Sequence, residues 1–156
     1  AALAMRAGRY EEAAREYASL IERRPEVAYY HNWLGLATIV RGDCAAEQAL
    51  AKAVTLQKTW AEAHLALART EAICGHTDRA RQRTAVLLRA RDDADTRLTL
   101  AFVELSANDR DVATALATPF LPHPDAQLLL NAISRGEKPA IPFAATSNTW
   151  LPPEVR

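Results

Sequence analysis

Cysteine, glycine and aromatic side chains are scarce in this chain: two Cys, five Gly and 6% aromatics in 156 residues. Two Cys cannot build a disulfide scaffold. Cys44 and Cys74 stand thirty positions apart, neither in a CxxC pair nor beside clustered His, which disfavours zinc and thioredoxin-type chemistry. They read as free, partly buried thiols in a reducing compartment, so the localisation expected is cytoplasmic. Charge of one sign is lacking too. With 19 basic against 19 acidic residues, nothing electrostatic argues for nucleic acid or an anionic membrane as partner. No run of about 18 apolar residues occurs, so no spanning helix is expected. P-loop, GxGxxG, HExxH, GxSxG and EF-hand patterns are missing, and no enzyme activity, metal or cofactor is expected. The opening Ala1-Ala2-Leu3-Ala4-Met5-Arg6 lacks an initiator Met and a signal-peptide pattern, and reads as a cut end of a longer chain.

What is present is repetition. Gly8-Arg9-Tyr10-Glu11-Glu12-Ala13 recurs loosely as Gly42-Asp43-Cys44-Ala45-Ala46, as Gly75-His76-Thr77-Asp78-Arg79-Ala80 and, with Asn for Gly, as Asn108-Asp109-Arg110-Asp111-Val112-Ala113. Gly and Asn both tolerate the left-handed backbone that ends a helix before a tight turn. Between these turns the apolar residues fall mostly at helical spacings and strand alternation is absent. Pro25 closes one helix behind Arg23-Arg24, and Asp92-Asp93 supplies acceptors for the helix start near Thr96. The pattern predicts short antiparallel helices A and B repeated about every 34 residues. Small residues at Ala13, Gly35, Ala46, Ala53, Ala68 and Ala80 permit close helix approach, with Tyr10, Tyr17, Leu50 and Leu87 filling the layers.

Leu34-Gly35, Leu67-Ala68 and Leu100-Ala101 in helices A, together with Gly8-x-Tyr10-x-x-Ala13, Tyr17 and the closing Pro25, resemble the tetratricopeptide-repeat (TPR) family over residues 1–117. His31 and His64 stand where that family has Trp. The resemblance implies an all-α, α-α superhelix (TPR solenoid) of about three and a half repeats: 1–27 partial, 28–60, 61–93 and a degenerate 94–117. Pro119, Pro122 and Pro124 must interrupt helix, after which Asp125 can cap an apolar helix that ends at Gly136. Residues 118–136 are therefore expected as a capping helix, and 137–156 as an extended, Pro-rich tail or linker.

The family geometry places helices A on the concave side. Carried over residue by residue, it implies a largely apolar groove for a partner, formed by Tyr29, Asn32, Leu36, Ile39, Leu65, Arg69, Ile73, Leu98 and Phe102, with Glu62 and Asp95 beside it. A two-carboxylate clamp for acidic chaperone C-termini is argued against, because Leu36 and Phe102 stand where polar groups are required. The expected function is a non-catalytic adaptor or chaperone-like module that takes an extended peptide or an amphipathic helix of another protein. Two alternatives stay open. The repeats could form the helical arm of a larger enzyme whose catalytic domain lies outside this chain, or Ile141-Pro142-Phe143 or Trp150 could occupy the groove. His31 and His64 are weighed as a metal pair completed by Glu62 or Cys74, and more readily as packing histidines. Arg79, Arg81, Arg83, Arg89 and Arg91, followed by Asp92, Asp93, Asp95, Asp109 and Asp111, read by default as a solvated convex face, able also to pair within the fold or recruit a partner.

Overall fold

The computed structural model describes residues 1–139, and these are all helical, with no strand among them. The helices are α1 (Ala2–Arg6), α2 (Tyr10–Arg23), α3 (Ala28–Ile39), α4 (Ala46–Leu56), α5 (Ala61–Ile73), α6 (Thr77–Ala90), α7 (Ala94–Ser106), α8 (Arg110–Ala117) and α9 (Pro124–Ser134). A short 3-10 turn, Thr118–Phe120, follows α8.

The expected turns are where the repeat places them. Gly8, Gly42, Gly75 and Asn108 have φ of 70, 77, 87 and 66°, and each stands between a shorter or more buried helix and the amphipathic one that follows. Asn108 is the one non-glycine among the described residues in this region, so the fourth turn survives its change of letter. The helix starts use local chemistry unevenly. Asp93 accepts from the Thr96 backbone N–H at 2.9 Å, and Asp109 accepts from that of Val112 at 3.3 Å. At the head of α9 the cap is His123, whose Nδ1 accepts from the Asp125 N–H at 3.1 Å. This corrects the expectation that Asp125 caps this helix: Pro124 takes the first helical position, which moves the cap back to His123 and leaves Asp125 inside and buried.

Each helix packs on its neighbour in the chain, and α5 also packs along α7, whereas α3 meets α5 only slightly. The small residues lie where close approach needs them: Ala13, Ala46, Ala53, Ala68 and Ala80 are fully buried. Gly35 is the tightest, because a Cβ there would stand 2.5 Å from Leu50 Cγ and 3.3 Å from the Ala46 carbonyl. The largest fully buried side chain is Trp33, stacked on Tyr17 at 6.0 Å between ring centroids and met edge-on by Tyr29 at 5.8 Å. Burial, with the charge of Glu16 and the neighbouring tyrosines behind it, pushes the Tyr17 hydroxyl well above the usual phenol range.

The cysteines are not free. Cys44, in the turn after α3, and Cys74, which ends α5, form a disulfide with Cα atoms 5.8 Å apart. Repetition brings the two turns to one edge of the fold, so thirty residues of chain collapse to the span of one bridge. This overturns the reading as free thiols, and with it the ground for a reducing compartment.

Candidate functional site

The predicted groove residues come from α3, α5 and α7, whose seam is close between α5 and α7 and slight between α3 and α5, and most of them are buried. Asn32, Leu36, Ile39, Leu65, Arg69, Leu98 and Phe102 are all buried, and only Tyr29 and Ile73 are half-exposed. Glu62 and Asp95 are also half-exposed, beside the seam. Between α5 and α7, Arg69 Nε donates to Thr99 Oγ1 at 2.9 Å, and the Arg69 guanidinium lies 5.8 Å from the centroid of the Phe102 ring. Burial pulls the Arg69 pKa down to about 10, opposed by the charges of Asp125 and Asp95. Asp125 therefore brings a carboxylate from α9 toward a cation on α5. In α3 the Oδ1 of Asn32 and the Nε1 of Trp33 are buried with no hydrogen-bond partner among the described residues.

The two histidines repeat the same bond. His31 Nε2 donates to the Pro25 carbonyl and His64 Nε2 to the Lys58 carbonyl, each at 2.8 Å and each six residues back. His64 Nδ1 then accepts from Arg83, which grips the buried Glu71 with two bonds of 3.1 and 2.9 Å. Cys74 is committed to its disulfide and Glu62 to Arg91, so the groups weighed as completing a metal site are engaged elsewhere. Among the described residues no group of three or more His, Cys, Asp or Glu is placed to hold a metal ion.

Four of the five arginines in the stretch, Arg79, Arg81, Arg83 and Arg91, pair within the fold while keeping contact with solvent, and Arg89 is exposed. Arg79 reaches Glu47 of α4 at 2.8 Å, Arg83 reaches Glu71 of α5, and Arg81 makes two bonds to Glu104 of α7 at 2.9 and 2.6 Å. Arg91 joins Glu62 and Asp93, and Arg97 joins Asp92. These bonds hold the Arg81, Arg91 and Arg97 guanidiniums above their usual range, Glu104 acting first on Arg81, Asp93 on Arg91 and Asp92 on Arg97. Half of the partners, Glu47, Glu62, Glu71 and Glu104, are glutamates of other helices, which sequence proximity to the aspartate run did not indicate.

Two surface clefts flank the helix pairs. One of about 740 Å³ is lined by Lys58, His64, Arg79, Arg83, Val86 and Leu87; the other, of about 680 Å³, by Ile21, His31, Leu34, Thr38, Gln48 and Lys52. Neither includes a predicted groove residue. The reading of Ile141-Pro142-Phe143 and Trp150 as occupants of the groove lies outside the described residues. Among the described residues no helix is long and apolar enough to cross a membrane. Comparison with protein-family models, with curated proteins and with solved structures gives no match to this chain.

Proposed function

We propose that the helix pairs form a TPR-like array and that the seam of α3, α5 and α7 is a non-catalytic binding face for an extended or amphipathic segment of another protein. The recurrent left-handed turns and the duplicated histidine bonds support the array. The observation that carries the binding reading is Asn32: a buried side-chain acceptor left unbonded in a largely apolar seam costs folding energy of about 1–3 kcal/mol. Asn32 is itself buried, so a partner's backbone N–H would satisfy it only as the seam parts beside Tyr29 and Ile73, the half-exposed residues at its rim.

The burial pattern decides how the reading is tested. Phe102 is 0% exposed, so Phe102→Asp would place an unpaired charge in the core and report folding rather than binding. The rim is the proper target. Peptides selected from a displayed library against the immobilised chain should carry spaced apolar anchors. Their affinity should fall at least about tenfold, near 1.4 kcal/mol, in a Tyr29→Ala, Ile73→Ala double variant. Selected peptides that bind wild type and variant equally would move the site elsewhere.

A further inference from the structure

The Cys44–Cys74 bridge ties the α1–α4 half of the chain to the α5–α9 half. Between these halves α4 packs on α5 and α3 meets α5 only slightly, whereas α7 packs on both α5 and α6. Cys44 is exposed and Cys74 half-buried, so the bridge lies at the surface rather than in the core. The same edge carries a polar clasp. Glu47, in the first turn of α4, accepts from His76 Nδ1 at 2.5 Å and from Arg79 at 2.8 Å, and both partners follow Cys74 in the chain. Ile39 and Ile73, which end α3 and α5, lie just ahead of the bridged turns.

We propose that Cys44–Cys74 is a thiol–disulfide exchange site that sets whether the two halves of the array act as one body. The reductant is a dithiol. One of its thiolates bonds to one bridge sulfur and expels the other as a thiolate; its second thiol then displaces the mixed disulfide. Two electrons pass from the dithiol to the bridge, its two protons end on Cys44 and Cys74, and it departs as its own disulfide. Oxidised, the bridge and the Glu47 clasp hold the α3–α4 turn against the end of α5. Reduced, the joint is left to the Glu47 clasp and the α4–α5 contact, and it loosens at Ile39 and Ile73.

The experiment uses the full, air-oxidised chain with dithiothreitol and no denaturant, trapping thiols with N-ethylmaleimide for intact mass and following backbone hydrogen exchange. Two alkylated thiols should appear while far-ultraviolet circular dichroism holds. Exchange should accelerate at least about fivefold in residues 40–45 and at the C-terminal ends of α3 and α5, with little change in α7 and α8. A Cys44→Ser, Cys74→Ser double variant should show the same pattern without reductant. Any of four results overturns the proposal: a bridge that resists dithiothreitol until denaturant is added, reduction that melts the whole chain, exchange that does not change at the joint, or two alkylatable thiols before reductant. The outcome is independent of whether the seam binds a peptide.

Discussion

Gly35 and Asn32 sit three positions apart on α3 and bear opposite relations to stability. Gly35 is required by Leu50: a methyl added at Gly35 would stand 2.5 Å from Leu50 Cγ, a branch atom rather than the end of a flexible chain, and Leu50 is fully buried. Gly35→Ala should therefore destabilise by about 1–3 kcal/mol in urea unfolding despite the better helix propensity of Ala. Leu50→Ala should cost less in the Gly35→Ala chain than in wild type, since it removes the atoms the methyl strikes; strictly additive losses would mean that the clash is not the cause. Asn32 runs the other way. Its unbonded acceptor penalises the free fold, so Asn32→Leu should raise stability by about 1 kcal/mol while weakening any peptide taken by the seam. A less stable Asn32→Leu chain would show that the amide is satisfied in solution and would remove the main support for the binding face.

Helix α7 owes its start to Asp93, whose carboxylate is bonded to Thr96 and Arg91 together. Partial burial raises its pKa, but the Arg91 and Thr96 bonds outweigh that and leave it below the ordinary aspartate range. A carboxyl with a lowered folded pKa stabilises fully above the unfolded value, about 4, and loses that contribution as pH falls through the folded value. Asp93→Ala should cost about 1 kcal/mol at pH 7, and the gap from wild type in thermal unfolding should close toward pH 2. A gap that persists in acid would assign the loss to packing. This element also shows what one dimension of sequence reveals. The Asp93 cap, the left-handed Asn108 and the break at Pro25 are set by residues within four positions of each other, so local chemistry predicts them. The pairing of Arg81 with Glu104, of Arg79 with Glu47 and of Cys44 with Cys74 depends on which helix edges meet, and the repeat period alone does not state that. The seam was legible as a set of residues on three helices. Its burial was not, because periodicity places a residue on a face without saying what packs over that face.

At the scale of the whole molecule, the array proposed above would have a stability that is approximately a sum of units and nearest-neighbour joints, so a cross-link between units would act on one joint and on the unfolded chain. The Cys44–Cys74 loop spans a sequence separation of 30. On chain-entropy grounds, closing a loop of that length is worth about 3–4 kcal/mol through the unfolded state. Urea unfolding of the oxidised chain should be one cooperative transition at a higher midpoint. The Cys44→Ser, Cys74→Ser chain should lose about that much in total and broaden, because only the α4–α5 packing and the slight α3–α5 contact then join the halves. Circular dichroism monitors all helices, and in chains carrying Trp150→Phe the fluorescence of Trp33 and Trp60 weights the α1–α5 side. Coincident curves in the oxidised chain and separated curves in the bridgeless one are expected. If both probes stay coincident after the bridge is removed, packing of α4 on α5 already carries the cooperativity, and the bridge adds stability without joining anything that would otherwise come apart.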